Sequence, residues 1–145
     1  MSNLAIIPAR GGSKRIPRKN IRDFLGKPII AYSIQSALES GLFDEVMVST
    51  DDEEIAQVAL ACGAKVPFMR SGKASDDFAT TSQVLEEVLD QYRIKGHVFK
   101  YACCIYPTAP FVTNEILKRA YDKLQEGAYQ SVLSVLRYGY PIWRS

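Results

Sequence analysis

Short runs of apolar residues alternate with helical patterns along the whole chain. The first run, residues 4–7, has no polar alternation, which is typical of a strand buried on both faces of a parallel sheet. A second strand is predicted at 46–48, and further strands near 65–68, 99–105 and 131–136. The pattern therefore predicts five strands in chain order.

Apolar residues spaced three and four positions apart predict four helices between these strands. Pro28 suits the first turn of the first helix, and Gly41 lies where a left-handed cap belongs. Asp51, with Glu54 three residues later, is typical of a capping box that begins the second helix. Thr113 is the predicted cap of the fourth.

Alternation of strands and helices predicts an α/β fold with an open, doubly wound, mostly parallel sheet of the Rossmann-like type. With 145 residues, 47% of them hydrophobic, the chain is long enough for one core, and we predict a single domain over residues 1–145. A ligand is expected beyond the carboxyl ends of the strands, in the loops that follow them.

Positive charge is concentrated in residues 10–20, which hold five basic side chains and no acidic one. The rest of the chain holds 13 basic and 16 acidic side chains, a net charge of −3. This distribution argues against a broad nucleic-acid or anionic membrane surface. No apolar run approaches the roughly 18 residues of a membrane span, and we expect a cytoplasmic protein with neither nucleic acid nor membrane as a partner.

The basic loop combines this charge with backbone freedom. Gly11 and Gly12 allow backbone N–H groups to approach an anion, and Ser13 adds a hydroxyl donor. The loop matches neither the ATPase glycine-lysine signature nor G-x-G-x-x-G. We predict that it binds a polyphosphate; the alternative is a solvated basic loop, in which five cations repel one another unless an anion or an acidic surface offsets them.

Other chemistry-bearing residues give weaker signals. Adjacent Cys103 and Cys104 would face opposite sides of a strand, so neither a disulfide framework nor a zinc site is predicted. His97 is predicted to be a surface residue. Asp51 and Asp52 could bind a metal, but capping a helix is sufficient to explain them.

Residues 7–20, I-P-A-R-G-G-S-K-R-I-P-R-K-N, resemble the N-terminal signature of CMP-sialic acid synthetase-type cytidylyltransferases. The half R-I-P-R-K-N is most similar to the pseudaminic acid branch, since sialic acid enzymes usually have Gly after Ser-Lys. The resemblance continues through residues 25–33, 48–51, 77–81 and 106–110.

This resemblance implies transfer of CMP from CTP to a nonulosonic sugar acid, with pseudaminic acid as the favoured one, in glycan biosynthesis, with release of pyrophosphate. The catalytic cations would be Arg10, Lys14 and Lys19. The implied CTP-binding residues are Arg10, Gly11, Gly12, Ser13, Lys14, Lys19, Asn20, Arg70, Ala79 and Thr81. Tyr106 and Thr108 would face the sugar, and Tyr106 stands where the sialic acid branch has glutamine. Alternatively, residues 80–82 simply cap the long helix.

Members of the resembled family run further than this chain and include a dimerisation extension and aspartates that hold Mg²⁺. We therefore expect a truncated chain, Mg²⁺ ligands beyond Ser145 with none among residues 1–145, and a homodimer if the protein is full-length. The alternatives are a catalytically silent nucleotide-binding module, or activation of another acidic sugar such as N-acetylneuraminic acid. Aromatic and basic residues at 137–144 would suit a sugar, or equally a core or interface.

Overall fold

Three parallel strands form the centre of the fold in the computed structural model, which describes residues 2–137 and Gly139. The elements, in chain order, are β1 (Asn3–Pro8), a 3₁₀ helix (Lys19–Ile21), β2 (Asp23–Phe24), β3 (Lys27–Pro28), α1 (Ile29–Ser40), β4 (Glu45–Ser49), α2 (Glu53–Ala61), α3 (Gly72–Ser75), α4 (Thr81–Ile94), β5 (Tyr101–Cys104) and α5 (Asn114–Gln125). The aromatic part of the predicted tail, Tyr138 and 140–144, lies outside the described residues.

The sheet has the order β4-β1-β5, with β1 in the middle. Ala5 of β1 is opposite Val46 of β4 and Cys103 of β5, and both pairings are parallel. The predicted open parallel α/β sheet is thereby confirmed. Because β1 has its two partners on opposite sides, the loop after β1 leaves the sheet at a topological switch point, where such folds bind ligands.

The core consists of two apolar layers, one on each face of the sheet. Ala5 and Ile7 of β1 pack in a cluster with residues of α1, α2 and α5. Leu4 and Ile6 point to the other face, where Val88 of α4 joins them. Burial of β1 on both faces is the outcome that its uninterrupted apolar sequence predicts.

Two predicted strands are absent as strands within the described residues. Near 65–68, only Lys65 forms a parallel bridge, with Met47. The pairing stops there because Pro67 has no N–H to donate. Residues 131–136 form no strand, and the Leu133, Val135 and Leu136 side chains are 82%, 86% and 96% exposed. Within the described residues, no helix or strand packs over these side chains, whereas a buried strand needs packing on its faces.

A short hairpin, β2–β3, was not predicted. Leu25 and Gly26 have φ angles of 52° and 86°, the left-handed pair that joins antiparallel strands tightly. Leucine rarely adopts this conformation, so the sequence does not indicate a tight turn at Leu25.

The helix ends agree with prediction except at the starts of α1 and α2. Pro28 lies one position before the first turn of α1, as its N-cap, because it also pairs in β3. Gly41 ends α1 with φ 67°, and the Thr113 side chain caps α5. At α2, however, the cap is Asp52 instead of Asp51: its Oδ1 accepts the Ile55 N–H at 3.0 Å. Asp51 is thereby left to contact the basic loop.

Candidate functional site

A cleft of about 200 Å³ opens beyond the carboxyl ends of β1 and β5. Its walls come from the loop after β1, the segment before α4 and the loop after β5. Its lining residues are Pro8, Arg10, Lys19, Asn20, Arg70, Ala79, Thr81, Val84, Tyr106, Pro107 and Thr108. Eight of these are predicted site residues, brought together from four separate parts of the sequence.

Asn20 lies in the cleft wall, and its buried side chain has an unpaired hydrogen-bond acceptor. Its side chain Nδ2 donates to the Arg10 carbonyl at 2.9 Å. Its Oδ1 is buried and has no hydrogen-bond partner among the described residues. An unsatisfied buried acceptor costs free energy, so a ligand N–H or O–H that reached Oδ1 would gain that energy back.

Arg70 is 8% exposed, which is unusual for arginine. Its Nε donates to Ser49 Oγ at 3.0 Å and its Nη2 to the Ser49 carbonyl at 2.7 Å. Burial lowers the pKa of Arg70, while the nearby carboxylates of Asp51 and Glu87 act in the opposite direction. These contacts within the protein hold the Arg70 cation in place at the cleft wall, so its position does not depend on a bound ligand.

Tyr106 and Thr81 meet across the cleft, with 3.1 Å between their hydroxyl oxygens. The Ser33 hydroxyl, fully buried on α1, donates to the Tyr106 carbonyl at 2.8 Å. Thr80 caps α4 in a capping box with Gln83. The simple capping interpretation is therefore confirmed for Thr80, while Thr81 turns into the cleft and contacts a predicted sugar-binding residue.

Acidic side chains contact three of the five cations in the basic loop. Arg10 Nη1 lies 2.8 Å from Asp77 Oδ1, and the Lys14 ammonium contacts the other Asp77 oxygen. Arg18 forms two hydrogen bonds to Asp52, of 2.6 and 2.9 Å. Of the two ways to offset the charge of the loop, an anion or an acidic surface, the structure shows the acidic surface. Repulsion between the cations therefore does not by itself require a bound anion.

Gly11 is required by the protein itself. Its N–H donates to Asp51 Oδ1 at 2.8 Å. A Cβ added at Gly11 would lie 2.6 Å from Asp52 Oδ2, whereas one at Gly12 would meet nothing within 4 Å. The close approach that we predicted for a phosphate is thus made by two aspartates in this structure. Gly11, Gly12, Ser13 and Lys14 are not in the lining of the cleft.

Arg18 also stabilises the charged form of its partner. The hydrogen bonds from Arg18 lower the pKa of Asp52 to about 2, although partial burial acts in the opposite direction. Arg18 has a φ of 54°, a strained conformation for a side-chain-bearing residue. The Asp52 contact therefore holds the loop in a shape that its own backbone does not favour.

A larger groove of about 440 Å³ lies between β5, α5 and residues 130–133. Its lining is mostly apolar, and Lys100 is its single charged residue among those described. None of the predicted site residues lies there. We therefore place the candidate site at the smaller cleft, where cations and hydrogen-bonding groups converge.

Other predicted features lie away from the cleft. His97 is exposed, as expected. Cys103 faces the core cluster and Cys104 is exposed; burial raises the pKa of Cys103 to about 11, which makes its thiol a poor nucleophile. The described residues contain no group of three or more His, Cys, Asp or Glu side chains arranged for a metal. Within this same part of the chain, every helix is too short or too polar to cross a membrane.

Sequence reasoning missed the role of Asp77, which lies in the quoted segment 77–81 but received no function. The separation of 63 and 67 residues from its partners hides the contact. A partial signal was the net acidic charge of the chain outside the basic loop, which indicates that acidic partners were available.

Comparison with known proteins gives one family. A family model described as "Cytidylyltransferase" matches residues 4–139. The chain is 50% identical, over all 145 residues, to a pseudaminic acid cytidylyltransferase of Campylobacter jejuni. It is 42% identical over 139 residues, 93% of the chain, to a CMP-N,N'-diacetyllegionaminic acid synthase of Legionella pneumophila. The chain spans 62% and 58% of the lengths of these relatives.

A solved structure of CMP:2-keto-3-deoxy-manno-octonic acid synthetase complexed with CTP has a similar fold. The TM-score is 0.73 at 26% identity, over 88% of this chain and 48% of that one. The similarity bears out the predicted Rossmann-like nucleotidyltransferase architecture.

Proposed function

This chain belongs to the cytidylyltransferase family, and we propose that it transfers CMP from CTP to a nonulosonic sugar acid, with pseudaminic acid as the substrate and pyrophosphate as the second product. The observation that carries the proposal is that one cleft, at the switch point of the sheet, gathers eight residues of the predicted CTP and sugar sites. The 50% identity to a pseudaminic acid cytidylyltransferase supports the choice of sugar.

The proposed orientation puts the cytidine at the buried wall of the cleft. Asn20 Oδ1, which lacks a protein donor among the described residues, would accept a hydrogen bond from the base or the ribose. Arg70, Ala79 and Thr81 would surround the same end. Tyr106 and Thr108 would face the sugar acid. The 3.1 Å contact between the Tyr106 and Thr81 hydroxyls would then lie at the boundary between the nucleotide and the sugar.

The reaction forms a bond between the sugar hydroxyl oxygen and the α-phosphorus. It breaks the bond from the α-phosphorus to the bridging oxygen, and pyrophosphate leaves. Negative charge grows on the bridging and equatorial oxygens in the transition state. Arg10, Lys14 and Lys19 would stabilise that charge electrostatically. Lys19 lines the cleft and forms no ion pair among the described residues, so it is free for a phosphate.

Mg²⁺ remains a prediction of the resemblance. Asp51 and Asp52, which were considered as metal ligands, are engaged by the Gly11 N–H and by Arg18. The described residues contain no group of three or more potential ligands. They do not fit a metal centre, and no step of the proposed mechanism is routed through the ion. A homodimer, expected if the protein is full-length, likewise remains a prediction.

The test incubates this chain, and a version extended to the length of its relatives, with CTP, Mg²⁺ and a panel of pseudaminic, legionaminic and N-acetylneuraminic acids, and measures pyrophosphate release. We expect release with pseudaminic acid and little with the other two. The sugar assignment fails if N-acetylneuraminic acid is the better substrate. CTP binding without release for any sugar would support the silent nucleotide-binding module instead.

A further inference from the structure

One carboxylate, that of Asp77, engages two predicted catalytic cations. Its Oδ1 accepts a hydrogen bond from Arg10 Nη1 at 2.8 Å, and its Oδ2 contacts the Lys14 ammonium. Arg10 Nη1 is also 3.5 Å from the Asp76 carbonyl. The hydrogen bonds from Lys14 and Arg10 lower the pKa of Asp77 below its ordinary value, so these contacts favour the charged carboxylate.

Two oxygens of a carboxylate on two cations mimic the contacts that a phosphate would make. The proposed function gives the same Arg10 and Lys14 groups to the CTP triphosphate. Asp77 uses one N–H group of Arg10 and one of Lys14, and other donors remain on both cations. A triphosphate on the remaining donors would share these cations with the Asp77 carboxylate, and the two anions would repel each other. Binding of the triphosphate therefore favours departure of the carboxylate.

The segment that carries Asp77 can move without loss of core packing. The residues at positions 76–78 are exposed, and Phe78 is 91% exposed. The side-chain bonds that hold Asp77 to the loop after β1 are the two to Arg10 and Lys14. Ion pairs with partly exposed partners are weak and exchange readily with water or with another anion; here the Arg10 and Asp77 side chains are 37% and 40% exposed.

We propose that Asp77 is an internal competitor for the cations that grip the β- and γ-phosphates of CTP. It leaves Arg10 and Lys14 when the triphosphate binds and returns to them when pyrophosphate departs. This inference rests on the proposed CTP site. Its consequence is that Asp77 weakens the binding of CTP and pyrophosphate while it speeds their release.

The experiment measures the equilibrium binding of CTP, CMP and inorganic tripolyphosphate by calorimetry, with EDTA present so that charge alone is compared. The variants are Asp77→Asn and Asp77→Ala, the second of which also removes the residual acceptor. The matched control is Asp90→Asn, which removes one carboxylate paired with Arg93 at 2.6 Å on α4. Because Asp77 is at the surface, thermal unfolding should show that both variants remain folded.

We expect both Asp77 variants to bind tripolyphosphate and CTP roughly 3- to 10-fold more tightly than the parent, the scale of two exposed ion pairs. CMP, which lacks the β- and γ-phosphates, should change less than about twofold, as should all three ligands with the control variant. Unchanged or weaker tripolyphosphate binding would overturn the inference and make Asp77 a support for the loop.

The same data separate this inference from the proposed function. If the parent chain binds tripolyphosphate as tightly as CTP, nucleotide recognition fails, yet tighter binding by the Asp77 variants still supports the competitor. If CTP is preferred and the Asp77 variants do not differ from the parent, the competitor fails and the nucleotide site stands. Absence of binding by every variant contradicts both.

Discussion

The two ends of the cleft are held in different ways. At the inner end, Asn20 and Arg70 are 5% and 8% exposed, and both are bonded to backbone carbonyls. At the outer end, Arg10 lines the cleft and is 37% exposed, and Lys14, outside the lining on the same loop, is 78% exposed; both pair with the surface carboxylate of Asp77. The inner end is preorganised by the core, whereas the outer end is balanced by charges that a ligand can replace.

This difference assigns different tasks to the two ends. A buried, bonded wall binds a ligand at low cost in conformational entropy and discriminates by hydrogen bonding. Exposed cations paired with carboxylates contribute less to selective binding, because the ligand has to break existing pairs. In the proposed reaction, the wall would select the nucleoside and the loop would act on the charge of the transition state.

Lys14→Ala should give the largest effect, and it acts on the outer end. In a protein that releases pyrophosphate from CTP, we expect turnover to fall roughly 10²- to 10³-fold, the scale for removal of one preplaced donor. Steady-state pyrophosphate release measures this, with the exposed Lys118→Ala as control. An unchanged rate would show that the outer end does not take part in catalysis.

Arg70→Ala tests the inner end. Truncation leaves the Ser49 carbonyl and hydroxyl without two donors in a buried place. We expect a loss of roughly 2–4 kcal/mol in the free energy of unfolding, measured by urea denaturation. The exposed Arg22→Ala should change it by less than about 0.5 kcal/mol. Equal effects of the two substitutions would contradict the claim that the inner wall is built into the core.

Ser33→Ala tests a buried hydrogen bond that supports a residue lining the cleft. Ser33 donates to the Tyr106 carbonyl at 2.8 Å and is fully buried. We expect a loss of about 1 kcal/mol in the free energy of unfolding and a higher KM for the sugar acid. Ser36, on the same helix, has no side-chain hydrogen bond among the described residues, so Ser36→Ala should leave that KM as it is. A higher KM for the sugar acid in Ser36→Ala, with no change in Ser33→Ala, would contradict this prediction.

Asp52→Asn gives the smallest effect and depends on pH. The folded pKa of Asp52 is about 2, below its ordinary value of 3.8, so its ionised form stabilises the fold above about pH 4, and this contribution is lost as the pH falls toward 2. At pH 5, we expect the free energy of unfolding of the parent to exceed that of the variant by less than about 1 kcal/mol. Acid titration of the free energy of unfolding should show the difference shrinking toward zero near pH 2; a constant difference would mean that the charge is not responsible.

Local patterns predicted much of the fold. The uninterrupted run in β1 indicated burial on both faces, and Gly41 and Thr113 marked helix ends, because each depends on neighbours in sequence. The strand predicted at 65–68 was wrong, since Pro67 ends the pairing after one residue. Periodicity alone does not show whether a strand has a partner.

The site was predicted unevenly for the same reason. Residues at strand ends, such as Arg10 and Tyr106, converge because parallel strands end at one edge of the sheet. The pairing of Arg10 and Lys14 with Asp77 depends on how a distant loop folds back. The choice of Asp52 over Asp51 as the helix cap differs from prediction by one residue, and it changes which carboxylate holds Gly11 and which holds Arg18.

The most direct test is a CTP titration of the isotope-labelled chain followed by amide NMR. The account predicts that the largest shifts occur at Asn20, Arg70, Ala79 and Thr81, with accompanying shifts at residues 10–14 and Asp77. It also predicts little change in the apolar groove, at Ala102, Leu117 and Leu133. Shifts centred on that groove, or none at the cleft at saturating CTP, would contradict it.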